Sequence, residues 1–151
     1  MTPYSVESSH LPDGPLVAYY GDDFTGSTDV MEAFTAAGVP TVLFVQPPSQ
    51  ASLSRFAHMR CVGLAGTSRG RDPAWMREHL PAAFDSLRQL GAPVLQYKVC
   101  STFDSAPHVG SIGQAIDLGV FLLLKFLFSL DLFRDVDAAA DEAFEDPLIV
   151  V

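Results

Sequence analysis

Short apolar runs alternate with amphipathic segments along most of this chain of 151 residues. Apolar, aromatic and β-branched residues crowd into four runs, a pattern typical of buried strands. These runs are Leu16–Gly21, Thr41–Val45, Cys61–Ala65 and Val94–Cys100. The alternation of strands with helical segments predicts an α/β fold of three layers. Its centre would be an open, mostly parallel, Rossmann-like sheet flanked by helices, in a partial or truncated form.

Four helices are predicted from apolar residues that recur every three or four positions. The first helix ends at Gly38, and the second spans Ser49–His58. The third runs from an Asp72 cap to Leu90, and the fourth covers residues 112–119. Asp at the first cap position and Gly just after the last turn are typical of helix ends. Pro81 lies inside the third helix and predicts a kink or a break there.

The two ends of the chain differ from this regular part. Residues 1–15 are polar, are interrupted by Pro and Gly, and contain no apolar signal-peptide core, so we predict a flexible lead. Residues 16–119 form the predicted domain. Residues 120–151 form an atypical tail, first apolar and then acidic. The apolar run Leu118–Leu130 contains Lys125 and is shorter than the roughly 20 residues of a membrane span. A core helix or an ill-fitting terminal segment is therefore favoured over a membrane-anchored fragment.

Composition and charge narrow the classes of function. The net charge is −9 and the sequence pI is about 4.6, which argues against a nucleic-acid binder or an anionic-membrane binder. Cys61 and Cys100 are the two cysteines, and neither belongs to a CxxC pair, so no zinc or redox motif is present. Free thiols without a secretory start predict a cytoplasmic protein.

Three polar motifs follow predicted strands: GDDFTGSTD after the first, GTSRGR after the third, and KVCSTFDS at the end of the fourth. In open parallel sheets the ligand crevice lies beyond the carboxyl ends of the strands. The three motifs therefore converge on one predicted site. The chain contains neither GxxxxGK[ST] nor GxGxxG, so no standard phosphate cradle is present, and the histidines lie in no recognisable triad.

The first motif places Asp22 and Asp23 side by side, where an extended backbone directs adjacent side chains to opposite sides. One carboxylate would face the crevice, where it could orient or deprotonate a hydroxyl or hold a metal through water. The other would cap the next helix or meet the backbone. Thr25 and Gly26 lie at the helix start, where free amides favour anions. The alternative interpretation is a well-capped strand-to-helix turn that binds nothing.

The second and third motifs supply cations and further polar groups. Arg69, beside Ser68, is suited to clamp a carboxylate or phosphate, and Lys98 to neutralise an anion. The alternatives are a solvated loop arginine and a lysine that extends from an edge strand to solvent. Asp104 can accept a hydrogen bond from a substrate hydroxyl. Ser101 is a further candidate in the loop after the fourth strand. Gly110, Ser111 and Gly113 open the next helix and form a second possible anion site.

The segments YYGDDFTGSTDVMEAFTAAGVPTVLF, AGTSR and YKVCSTFDSAPHVGSIGQAIDLG, in this order and spacing, resemble the four-carbon acid sugar kinase family over about Leu16–Gly119. Members are ATP-dependent kinases of acids such as erythronate, threonate and 3-oxo-tetronate. They combine an N-terminal sugar-binding domain with a C-terminal nucleotide-binding domain. The resemblance implies that this chain is the sugar-binding domain, that its partner is a small sugar acid, and that ATP and Mg²⁺ serve the intact enzyme.

The resemblance also implies roles for individual residues. Asp22, Asp23, Thr25 and Gly26 match the DDxTG signature of the substrate pocket, and Asp22 or Asp23 would orient or activate the hydroxyl that attacks ATP. Ser68 and Arg69 match the loop that meets the acid sugar. The third block of the family is matched by Lys98, Ser101, Asp104 and the turn Gly110–Gly113, with Ser111 inside it. Arg69 and Lys98 would hold the carboxylate. No residue is assigned to a metal.

The sequence after Gly119 does not resemble the expected continuation of the family. We therefore expect a truncated or frame-shifted reading frame. Such a chain would bind the acid weakly and transfer little or no phosphate by itself. The alternative is a non-catalytic remnant or a module that binds hydroxy acids.

Overall fold

A single parallel sheet forms the centre of the computed structural model, which describes residues 11–129 and 148–150. Its strands are β1 (Val17–Gly21), β2 (Thr41–Phe44), β3 (Cys61–Ala65), β4 (Val94–Lys98) and β5 (Leu148–Val150). The helices are α1 (Phe24–Ala36), α2 (Gln50–Arg55), α3 (Pro73–Arg88) and α4 (Ile112–Ser129). The strand order is β2-β3-β1-β4-β5, and every neighbouring pair is parallel. The predicted α/β fold is confirmed.

The sheet is covered on both faces because successive side chains of a strand point to opposite sides. In β1, Tyr19 packs with Val30 of α1 on one face, whereas Ala18 and Tyr20 join the larger cluster on the other face. That larger cluster includes Leu80 of α3 and other residues of α3 and α4. Helices on the two faces of the sheet give the three predicted layers.

Helix α3 runs unbroken through Pro81, so the predicted break is wrong. The buried residues of α3 lie on both sides of the proline, and they are Met76, Leu80, Phe84 and Leu87. Packing of both halves on the sheet holds the helix together despite the hydrogen bond that a proline cannot donate. Asp72 caps this helix as predicted, since its side chain accepts a hydrogen bond from the amide of Trp75 at 2.8 Å.

Helix α4 extends past the predicted domain boundary at residue 119 and continues to Ser129. Leu118 and Leu122 pack against the cluster that contains α3, so this part of the apolar run contributes to the core. No helix in the described part of the chain is long and apolar enough to cross a membrane. The acidic stretch and most of the N-terminal lead lie outside the described residues, so the domain boundaries stay a prediction.

Candidate functional site

The three polar motifs meet in one open crevice at the carboxyl ends of β1, β3 and β4. The register pairs Gly21 of β1 with both Ala65 and Lys98, so the three strands end at the same level. The loops that follow enclose a crevice of about 860 Å³. It is lined by Asp22, Asp23, Phe24, Gly66, Thr67, Arg69, Gly70, Asp104, Ser105, Ala106 and Val109. The predicted convergence on one sheet edge is therefore present.

Asp23 is the N-cap of helix α1. Its Oδ1 accepts a hydrogen bond from the Gly26 amide at 2.6 Å, and its Oδ2 accepts one from Arg69 Nη1 at 3.1 Å. Burial opposes ionisation, but hydrogen bonds from the Cys100 thiol, the Gly26 amide and Arg69 together lower the pKa of Asp23. Asp23 is thus an ionised residue whose two oxygens are both engaged within the protein.

Arg69 joins the loops that follow three different strands. Its Nε and Nη2 donate to Asp104 Oδ2 at 3.2 and 2.6 Å, and its Nη1 donates to Asp23. The hydroxyl of Thr102 also donates to Asp104 Oδ2, at 3.0 Å. The hydrogen bond from Arg69, followed by that from Thr102, lowers the pKa of Asp104. A guanidinium has five N–H groups and these contacts use three, so one remains on each of Nη1 and Nη2.

Asp22 differs from Asp23 in its burial, in its hydrogen bonding and in the direction of its pKa shift. It is 3% exposed, and its Oδ1 finds no hydrogen-bond partner among the described residues. Burial raises the pKa of Asp22, with a smaller contribution from the charge of Asp23, while the Cys100 amide, Arg69 and Lys98 oppose the rise. A buried carboxyl oxygen without a partner is unfavourable, and such groups are found mainly where a ligand or a reaction uses them.

Lys98 lies beside the start of α1 and is not part of the crevice lining. Its Nζ donates to the carbonyl of Val99 at 2.6 Å, and a Cβ added at Gly26 would come within 3.4 Å of that Nζ. Strand β4 lies between β1 and β5. The pairing with β5 ends at Gln96, so the alternative of a lysine that extends to solvent from an edge strand stays open. The half-buried ammonium is held beside the first turn of α1 and close to Asp22.

Residues 17–129 match the family described as the sugar-binding N-terminal domain. The chain belongs to that family. The match extends ten residues beyond Gly119, where the resemblance was expected to end. The sugar-binding N-terminal domain is also the part of the acid sugar kinases that the three motifs resemble, so that resemblance is confirmed.

Named kinases are among the relatives of this sugar-binding N-terminal domain. A 3-oxo-isoapionate kinase of Paraburkholderia graminis is 68% identical over 109 residues, which cover 72% of this chain and 23% of that protein. A 3-oxo-tetronate kinase of Pseudomonas savastanoi pv. phaseolicola is 33% identical over 104 residues, which cover 68% of this chain and 24% of that protein. The chain thus spans about a quarter of the length of these curated relatives.

A solved structure has the same fold. It is a domain of unknown function from Bordetella bronchiseptica, crystallised with bound citrate as a domain-swapped dimer. The two structures superpose with a TM-score of 0.59 at 27% sequence identity, over 72% of this chain and 26% of that one.

Two other residues predicted for the site support its loops. Ser68 is fully buried, and its hydroxyl is hydrogen-bonded to that of Tyr97 at 2.9 Å, so its side chain does not line the crevice. Gly110 has a φ of 59°, and a Cβ at this position would lie 2.3 Å from the carbonyl oxygen of Arg69. Both residues therefore fix the backbone on which Arg69 is carried.

The remaining predicted residues lie outside the crevice lining or act at helix ends. The Ser111 hydroxyl accepts a hydrogen bond from the amide of Gln114 at 3.1 Å, which caps α4. Gly26 contributes its amide to the Asp23 cap. Thr25, Ser101 and Gly113 are exposed and are not part of the crevice lining. Their predicted roles toward a ligand stay predictions.

Sequence reasoning missed the part played by Tyr20 and Gly66. Tyr20 is buried, stacks on Tyr97 with ring centroids 5.6 Å apart, and lies directly beneath the loop that follows β3. A Cβ at Gly66 would lie 2.0 Å from the Tyr20 hydroxyl oxygen. The signal was a glycine immediately after a strand, which commonly marks close approach of another group.

The acidic residues do not form a metal site by themselves. Among residues 11–129 and 148–150, no group of three or more His, Cys, Asp or Glu side chains is arranged to hold a metal ion. Asp23 and Asp104 are both engaged by Arg69. With two of the three carboxyl groups of the crevice paired to Arg69, no residue of this crevice is assigned to Mg²⁺.

We expect Asp22→Asn to stabilise the folded chain at neutral pH. The folded pKa of Asp22 lies above its ordinary value of 3.8, so the folded state binds this proton more tightly than the unfolded state. The stability that protonated Asp22 contributes is therefore lost as the pH rises from 3.8 through the folded pKa. Asparagine does not titrate, so the variant does not lose stability over this range. Urea unfolding should show a gain of about 1–2 kcal/mol near neutral pH, shrinking as the pH falls toward 3.8.

The control for this measurement is Asp29→Asn, which removes an exposed carboxylate from the same helix region. It should change the free energy of unfolding by no more than about 0.5 kcal/mol. If Asp22→Asn instead destabilises the chain at neutral pH, Asp22 is a structural residue rather than one reserved for a ligand.

Proposed function

We propose that this chain supplies the acid-sugar-binding site of an ATP-dependent kinase for four-carbon acid sugars. Erythronate, threonate and 3-oxo-tetronate are the proposed substrates, and the name of the Paraburkholderia relative adds 3-oxo-isoapionate. The observation that carries the proposal is the unpartnered Oδ1 of Asp22, buried at the crevice beside Arg69 and Lys98. Membership of a sugar-binding family supports it.

The charges of the crevice suit a small hydroxy acid. Arg69 retains one N–H on each of Nη1 and Nη2, and these can donate charge-assisted hydrogen bonds to a ligand carboxylate. Lys98 adds a second positive charge nearby. Asp22 offers a carboxyl group to the oxygen atoms of the sugar chain. Asp23 is engaged with Gly26 and Arg69, so we assign it to holding Arg69 rather than to the substrate.

Phosphoryl transfer needs accurate positioning of the attacking hydroxyl more than it needs a strong base. We therefore propose that Asp22 orients the reacting end of the acid, while Arg69 and Lys98 fix its carboxylate. ATP and Mg²⁺ belong to the activity proposed for the longer protein, and no residue of this crevice is assigned to them. The cytoplasmic location and the absence of a nucleic-acid partner, both inferred from the sequence, remain predictions.

Calorimetric titration of the purified chain tests the proposed function. D-erythronate, D-threonate and freshly prepared 3-oxo-tetronate should bind. Erythritol has the same number of carbon atoms but no carboxylate, so it should bind at least about 10-fold more weakly. The reason is that the loss of one charged contact costs about 1.5–3 kcal/mol. Equal affinity for erythritol, or no binding of any acid, would contradict the proposal.

A module that binds hydroxy acids without transferring phosphate is the second candidate, because the crevice accounts for acid binding alone. An ADP-release assay with Mg-ATP and the same acids separates the two. Turnover that disappears in Asp22→Ala would show that this chain is itself a kinase. Acid binding without turnover would show that it is a binding module or needs the rest of a longer protein.

A further inference from the structure

The charges that face the crevice do not balance. Three carboxyl groups, Asp22, Asp23 and Asp104, line the crevice with a single cation, Arg69, while Lys98 lies near Asp22 outside the lining. Arg69 bonds to Asp23 and Asp104, and Lys98 bonds to a backbone carbonyl. Within the described part of the chain, neither cation forms an ion pair with Asp22. An acid ligand would bring a fourth negative charge into this space.

Asp22 is the carboxyl group that can respond to this excess. Hydrogen bonding by Cys100, Gly26 and Arg69 lowers the pKa of Asp23, and hydrogen bonding by Arg69 and Thr102 lowers that of Asp104, so both favour the ionised form. Asp22 is buried and its pKa is already raised. Asp22 is surrounded by titratable and charged groups from several elements. Asp23 belongs to the cap of α1, Tyr20 to β1 and Arg69 to the loop after β3. Strand β4 and the loop after it supply Tyr97, Lys98, Cys100 and Asp104. Repulsion from a bound carboxylate would favour protonation of Asp22 still further.

The two oxygens of Asp22 are not equivalent. Cys100 opposes the rise of the Asp22 pKa from one side of the carboxyl group, whereas Oδ1 is buried and has no partner among the described residues. A proton on Oδ1 would therefore convert an unpartnered acceptor into a donor on a residue that lines the crevice.

We propose, building on the proposed function, that acid binding carries a proton into the crevice. Asp22 takes up one proton from solvent as the acid binds, and the resulting Oδ1–H donates a hydrogen bond to a ligand oxygen. No other bond is formed or broken in this step. Asp22 in its neutral form is thus a specificity-determining residue for acids that present an oxygen able only to accept, such as a 3-oxo group.

This proton uptake predicts a pH-dependent choice of ligand. An ionised Asp22 repels a ketone oxygen but accepts a hydrogen bond from a hydroxyl, whereas a neutral Asp22 donates to either group. Affinity for a 3-oxo acid should therefore fall more steeply with rising pH than affinity for the corresponding hydroxy acid. D-erythronate is the matched ligand for 3-oxo-tetronate in this comparison.

Calorimetry of the full 151-residue chain in two buffers of different ionisation enthalpy measures the proton uptake directly. With freshly prepared 3-oxo-tetronate near neutral pH, we expect uptake of up to about one proton per bound acid. Asp22→Asn should take up none, because an amide does not titrate in this range, and its affinity for the acid should lose the pH dependence that the wild type shows. Asp29→Asn should behave like the wild type.

Two results would overturn the inference while leaving the proposed function intact. One is acid binding without proton uptake in the wild-type chain, which would mean that an ionised Asp22 accepts from a ligand hydroxyl. The other is unchanged proton uptake in Asp22→Asn. If no acid binds at all, the proposed function itself fails. A thermal melt of each variant establishes that the protein under test is folded.

Discussion

Replacing Arg69 with glutamine is expected to weaken binding of four-carbon acids by about 30-fold or more, because the proposed charge pair with the ligand carboxylate is truncated. The substitution removes the proposed carboxylate clamp. It also leaves the carboxylates of Asp23 and Asp104 without the cation that compensates them. The crevice would then repel an acid ligand. Calorimetric titration with D-erythronate measures the change.

The matched control is Arg77→Gln, which removes the same charge from an exposed position on α3, where Arg77 donates to Gln114. Its affinity for D-erythronate should stay within about 2-fold of the wild-type value, since exposed charges far from a ligand are largely screened by salt. An equal loss of affinity in the two variants would mean that the net charge of the chain, rather than the crevice, governs acid binding. Unchanged affinity in Arg69→Gln would remove Arg69 from the site.

Gly66→Ala is expected to destabilise the chain by about 1–3 kcal/mol, the usual cost of forcing extra volume into a packed core. The added Cβ would lie 2.0 Å from the Tyr20 hydroxyl oxygen and 2.1 Å from its Cζ atom. Tyr20 cannot move aside, because its ring stacks on Tyr97 and meets Phe84 edge to face at 5.7 Å. The loop would have to shift instead, and Thr67 and Arg69 would shift with it, so acid binding should weaken as well.

Gly70→Ala is the control for stability, since it adds a methyl group to the same loop with no other atom within 4 Å. It should change the free energy of unfolding by no more than about 0.5 kcal/mol. Chemical unfolding of the two variants measures both values. Equal, small effects would show that Tyr20 has room beneath the loop and does not fix its position.

The sequence predicted the edge at which the site lies, for a simple physical reason. Parallel strands place their carboxyl ends together, so motifs that follow β1, β3 and β4 had to meet. Sequence also predicted that Asp22 and Asp23 would differ in role. It could not say which one would be buried, because that depends on Arg69, which is distant in sequence and reaches Asp23 but leaves Asp22 Oδ1 without a partner.

Other features depended on contacts that no local pattern reveals. The break expected at Pro81 does not occur, because buried residues on both sides of it pack on the sheet. Ser68 belongs to a motif that matched a substrate loop, yet its hydroxyl bonds to Tyr97 across the core. Strand β5 was not predicted either, since its three residues extend the sheet only through their pairing with β4.

Mapping the backbone amides that respond to D-erythronate by NMR tests the central claim most directly. The account predicts shifts at the ends of the three strands, over residues 22–26, 66–70 and 104–110, and their loss in Arg69→Gln. The other cavity of note in the described part of the chain is apolar, about 50 Å³, and lined by residues such as Phe84, Leu95 and Ile116. Shifts confined to that cavity, with none at Asp22 or Arg69, would contradict the account.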